Sequence, residues 1–194
     1  TRRSSDLPDE QPALEAQIID LADEIAYNNH DIDDGLTSGL ILLDEVKALK
    51  VWQMACDRYG RELPDDPKLA AREIIRTIID ILVTDLIGHT LENISTKSIN
   101  TYDDVRAAPL RLVGFTPEVR AANAELKKFL RENLYQHYRV VRMTVKSQRV
   151  IRDLFTIYTR HPDTLPDAYQ QRIELDGLIL TVTDYIAGMT DRYA

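Results

Sequence analysis

The sequence predicts an all-α fold of six to eight helices, and three observations carry the prediction. Apolar residues recur at helical spacing through most of the 194 residues. Asp-Pro, Thr-Pro-Glu and Gly stand where those periodic runs begin or stop. No stretch alternates apolar and polar residues as a half-buried strand would, and no repeat of fixed period or low-complexity tract interrupts the pattern. With 44% apolar and 29% charged residues the composition is globular, and the length suffices for one domain with a real core.

The elements follow in order. Leu14, Ile18, Leu21 and Ile25 lay one stripe along a first helix, entered after Pro12 and expected to run to about Asp34, with Gly35 as its left-handed C-terminal residue. A second helix, Leu43 to Tyr59, carries Val46, Leu49, Trp52 and Cys56 and stops at Gly60. Asp66-Pro67 opens a third, to about Lys97, because the Asp oxygen can accept free first-turn N–H groups and Pro needs no donor there. Its apolar face is wider than a surface helix needs, which makes it the expected spine. Asn93 to Pro109 reads as irregular with a turn at Tyr102-Asp103-Asp104, and Val105 to Val113 as extended or irregular. Thr116-Pro117-Glu118 starts another helix, through Leu126 and Leu134 to about His137. Val140 to Tyr158 continues helical until His161-Pro162. Leu165-Pro166-Asp167 opens a short helix that Asp176-Gly177 breaks. The last helix, from Leu178, is expected to run to Ala194 without a stop signal, and the start at Thr1 without Met is expected to mark the edge of a fragment.

Composition also narrows function. A single cysteine, Cys56, leaves no disulfide framework or cysteine zinc cluster and fits a reducing, cytoplasmic setting. Thirty-two acidic against 24 basic residues give a net charge of −8, which disfavours nucleic acid as a partner but leaves a local pocket for small anions open. No apolar run reaches the roughly 20 residues a membrane span needs, and TRRSSDLPDE has no signal-peptide core. Gly-rich phosphate loops, GxSxG, CxxC, HExxH and Glu-x-x-His pairs are all missing.

What remains is the first helix, where Asp20, Asp23, Tyr27, His30, Asp31 and Asp34 recur every three or four residues opposite the Leu/Ile stripe. The face is either a solvated acidic surface or a fixed site, and short Asp side chains, poor helix formers, speak for the site. His30-Asp31 is either a metal-binding dyad or an exposed or capping pair. A second dense run, Lys127, Lys128, Arg131, His137, Arg139, Arg142, Lys146, Arg149 and Arg152, is either ordinary helix surface or a basic wall. Within it Lys127 and Arg131 share a face with Tyr135 on the next turn, an arrangement able to hold a polyphosphate with a sugar or base against the ring.

Leu14 to Leu36 (LEAQIIDLADEIAYNNHDIDDGL) resembles the deoxyguanosinetriphosphate triphosphohydrolase family, within the HD superfamily of metal-dependent phosphohydrolases. Glu125 to Met143, Val150 to Phe155 and Asp184 to Ala194 extend the resemblance over nearly the whole chain. It implies hydrolysis of a deoxynucleoside triphosphate, dGTP favoured, to the deoxynucleoside and tripolyphosphate, with Mg²⁺ or Mn²⁺ held by a His, a His-Asp dyad and a later Asp. That later Asp corresponds to Asp23. Tyr27 would lie near the phosphates and sugar, Asp31 would accept from the 3′-hydroxyl, and Lys127 and Tyr135 match phosphate-binding and sugar-packing positions. The resemblance makes His30-Asp31 no metal dyad, since the family's dyad lies well upstream.

The upstream His and His-Asp ligands have no counterpart in Thr1 to Gln17. Residues 1–194 are therefore expected to be the C-terminal helical portion of such an enzyme, inactive alone, with its N-terminal half as partner and homo-oligomerisation expected. The alternative is a non-catalytic helical module that binds nucleotide or mediates oligomerisation.

Overall fold

The computed structural model describes residues 10–190 and 193. Among them are nine α-helices, one π-helical and one 3₁₀ segment, and no strand, so the all-α class stands. The helices are α1 (Leu14–Ser38), α2 (Leu43–Lys47), α3 (Lys50–Tyr59), α4 (Pro67–Thr96), α5 (Tyr102–Ala107), α6 (Pro117–Leu130), α7 (Tyr138–Arg160), α8 (Asp167–Asp176) and α9 (Leu178–Ala187). The count exceeds six to eight for two reasons. The stretch expected as one helix from Leu43 breaks at Leu49, whose backbone is extended (ψ 139°), so that Val46, Leu49, Val51 and Trp52 all bury. And the expected turn at Tyr102 is a helix. There the Thr101 hydroxyl accepts from the Asp104 N–H while the Asp104 carboxylate accepts from the Thr101 N–H at 2.8 Å, a capping box.

Three helix ends also differ from expectation. Gly35 does not terminate α1. It is buried inside the helix, and the left-handed residue is Gly39 (φ 68°), whose N–H reaches back to the last-turn carbonyls. Thr116 precedes Pro117 as expected but does not cap α6. Its N–H and hydroxyl both donate to Asp85 on α4, at 2.9 and 2.8 Å, so a tertiary tie replaces the local one. The last helix stops at Ala187, with Gly188 following, rather than continuing towards Ala194, whose own placement lies outside the described residues.

The chain divides into two compact units, Thr1–Tyr135 and Gln136–Ala194. In the first, α4 is the spine, packed by α1 on one side and α3 on another, with α6 against α1 and α3. Ile25 and Ile32 of α1, Ile74, Ile78 and Leu82 of α4, and Leu126 and Leu130 of α6 form its core. Each such fully buried side chain is worth about 1.5–3 kcal/mol of transfer free energy. In the second unit, α7 and α8 pack against α9 around Leu165, Val182 and Tyr185, with Phe155 and Tyr158 of α7 beside them. Among the described residues no helix is long and apolar enough to cross a membrane.

Helix α6 does not end cleanly. It passes into a π turn, Arg131–Tyr135, where the wider i→i+5 bonding inserts about one extra residue. Lys127 and Tyr135 are eight residues apart, which in a regular α-helix would set them roughly 80° from a common face. The π turn offsets that rotation, and it also lets Leu126, Leu130 and Leu134, each four apart, bury together.

Candidate functional site

The acidic face of α1 and the basic end of α6 meet inside the first unit. Glu24, 25% exposed at its side chain, accepts from the Lys127 ammonium at 2.7 Å through one carboxylate oxygen and from the Asn123 amide at 2.8 Å through the other. Seven residues along α1, and therefore on nearly the same face, Asp31 accepts a hydrogen bond from the Tyr135 hydroxyl. Two rungs thus join α1 to α6 and its π turn. Asp20, one turn before Glu24, pairs with Arg111 at 2.9 Å, and Asp33 lies 3.6 Å from Arg72. Asp20, Glu24 and Asp33 are thus each paired with a cation of the same unit, and Asp31 with a neutral donor.

Of the residues expected at the site, Asp31 and Tyr135 are in direct contact, and Tyr27 lies one turn before Asp31, 60% exposed. Lys127 reaches α1 at Glu24, one turn before Tyr27. Asp23 is exposed, as are His30 and Asp34, and these have no ion-pair partner among the described residues. No three His, Cys, Asp or Glu side chains among the described residues are placed to share a metal ion. The donor set present therefore does not fit a bound metal by itself, His30-Asp31 included. The basic run also divides: Lys127, Lys128 and Arg131 belong to the unit that holds α1, whereas His137 to Arg152 belong to the other.

Burial first, and then the bond to Asp31, push the Tyr135 phenol above its ordinary value, with Tyr27 adding in the same direction. A raised folded-state value means the folded protein holds this proton more tightly than the unfolded chain. The stabilisation is complete below the unfolded value, about 10, and is lost as pH rises beyond it. Tyr135→Phe is accordingly expected to lower stability at neutral pH by about 1–2 kcal/mol, the bond to Asp31 being lost, and to flatten the alkaline limb of the stability–pH curve. Denaturant melts at a series of pH values with phenolate absorbance check this, and an unaltered alkaline limb would contradict it.

Beside the first rung lies a cleft of about 560 Å³ lined by Leu21, Glu24, Arg111, Phe115, Arg120 and Lys127, among others. Asn123 also lines it, is 4% exposed, and leaves its carbonyl oxygen without a partner. Sequence reasoning passed over Glu24 and Asn123. Glu24 stands within the Leu14–Leu36 motif and Asn123 is four residues, one helical turn, before Lys127; that spacing was the available signal.

Residues 113–194 match the model of the phosphohydrolase-associated domain. Over 189 residues the sequence is 47% identical to a deoxyguanosinetriphosphate triphosphohydrolase-like protein of Geobacter metallireducens, covering 97% of this chain and 49% of that protein. Over nearly its whole length the chain is therefore similar to proteins of this description. Proteins with the same description from Bordetella pertussis (48% over 185 residues; 95% of this chain, 48% of that one) and Thiobacillus denitrificans (45% over 192; 95% and 49%) match as extensively. The chain spans about half the length of the curated relatives it matches, and the matched stretch is their C-terminal part.

Proposed function

We propose that these residues form the nucleotide-binding portion of a metal-dependent deoxynucleoside triphosphate triphosphohydrolase, dGTP being the favoured substrate and the products a deoxynucleoside and tripolyphosphate. One observation carries the reading: five residues assigned by resemblance fall on α1 and on α6 with its π turn, and those two elements are joined at Asp31–Tyr135 and Glu24–Lys127. In it Asp31 receives the 3′-hydroxyl, Tyr135 packs on the sugar, Tyr27 lies along the sugar and phosphates, and Lys127 meets the phosphates. Asp23 supplies one ligand to Mg²⁺ or Mn²⁺. The other ligands come from outside these residues. Residues 1–194 then act as the C-terminal helical portion of the enzyme, its N-terminal half being their partner, in a cytoplasmic homo-oligomer; the lone Cys56 suits that compartment.

The experiment is a screen of the full-length product against the four deoxynucleoside triphosphates with Mg²⁺ and Mn²⁺, alongside the 194-residue chain. Turnover by the former, abolished in Asp23→Ala, and none by the latter is the expected result. Metal-dependent turnover by the short chain, or an unimpaired Asp23→Ala enzyme, would overturn the assignment.

A further inference from the structure

Each cation lining the cleft beside α1 already has an acceptor. Lys127 has Glu24, Arg111 has Asp20 at 2.9 Å, and the Arg120 guanidinium donates to the Phe115 carbonyl at 3.0 Å. The Lys127 pair is the most firmly built of these. Asn123, itself buried, fixes the second carboxylate oxygen of Glu24, so the carboxylate is anchored at both ends. Lys127, at 48% side-chain exposure, is the partner free to leave.

We infer that Glu24 is the resident counter-ion of Lys127, an affinity-setting residue that weakens every anion at the lysine by a common factor, which a polyphosphate offsets through its further contacts and a single phosphate does not. The inference rests on the reading of Lys127 as a phosphate ligand. An anion reaching Lys127 must first part it from Glu24, and its apparent affinity falls by the fraction of lysine that is free. For a half-exposed pair that factor is about 2 to 6. A single phosphate has one group with which to offset the exchange. A polyphosphate can reach Arg111 or Arg120 in the same cleft as well, and it alone binds usefully at ordinary concentrations. The opposite role, in which Glu24 merely holds Lys127 in position, has the opposite sign: removing the carboxylate would then weaken anion binding.

The test uses the full-length protein without metal, titrated calorimetrically with inorganic phosphate and with inorganic tripolyphosphate. Glu24→Gln keeps an acceptor for Asn123 and so preserves the tie between the helices, while releasing the lysine. It is expected to tighten both anions about 2- to 6-fold, with Lys127→Ala weakening both. Glu24→Ala, read only if its melting curve stays cooperative, should move affinity in the same direction as Glu24→Gln. Unchanged or weaker binding in Glu24→Gln, with Lys127→Ala still weakened, overturns this inference and leaves the nucleotide reading standing. Unchanged binding in Lys127→Ala overturns both.

Discussion

Replacing Gln17 by Leu is expected to cost the fold about 3–5 kcal/mol and to lower the melting temperature by roughly 10 °C. Gln17 sits in the first turn of α1 and is fully buried. Its side-chain oxygen accepts from the N–H groups of Leu112 and Val113, at 2.9 and 3.3 Å, and its amide donates to the Pro12 carbonyl at 2.8 Å. Leu112 and Val113 belong to the segment without regular structure between α5 and α6, so no helix or strand ladder satisfies them. Both are buried, and water has no ready access to their N–H groups. Leu nearly matches Gln in volume. The substitution therefore isolates the polar loss: the two buried N–H groups are left without partners at about 1–3 kcal/mol each, and the half-buried Pro12 carbonyl adds less, for a middle value of about 4 kcal/mol. A melting temperature within a few degrees of wild type would show that this segment finds other partners.

Gln17 also shows where the sequence was legible. The long helices were readable because apolar spacing, Asp66-Pro67 and Gly60 act locally: the Asp66 side chain accepts from the Lys68 N–H at 2.8 Å and Gly60 takes a left-handed φ of 60°, as their types suggest. Where a residue serves a neighbour distant in sequence, local reasoning failed. Thr116 looks like a cap and instead bonds Asp85. Gly35 looks like a terminator and instead lies against Ile41, whose Cδ1 would be 2.7 Å from any Cβ added there. The acidic face of α1 was legible as a pattern but not as an arrangement, since nothing near Asp20, Glu24 or Asp31 in sequence names Arg111, Lys127 or Tyr135. Thr101-x-x-Asp104 is a capping signature in a short disguise, Asp standing for the usual Glu, and was passed over as a turn. The π turn has no sequence signal that we can name, and it is what brings Tyr135 round to Asp31.

That placement leads to the prediction that bears most directly on activity. In the full-length protein Asp31→Ala is expected to lower kcat/KM for the preferred deoxynucleoside triphosphate about 30-fold, the range for losing a hydrogen bond to a charged group. One Asp31 oxygen is taken by the Tyr135 hydroxyl, which on the proposed function leaves the other to accept from the 3′-hydroxyl of the sugar. On the proposed function, Tyr135 orients the carboxylate while its ring offers a surface to the sugar. The wild-type enzyme should accordingly prefer a deoxynucleoside triphosphate over its 3′-deoxy counterpart by a similar factor, because the analogue leaves the carboxylate oxygen unpaired. In Asp31→Ala that preference should collapse towards unity, since neither substrate then finds an acceptor, and the two changes together should cost little more than either alone. Tyr135→Phe should retain the preference for the 3′-hydroxyl while lowering kcat/KM by a smaller factor, the acceptor being present but less well held. If Asp31→Ala loses activity yet discriminates against the 3′-deoxy analogue as sharply as wild type, the carboxylate supports the helix contact alone and the 3′-hydroxyl is read elsewhere.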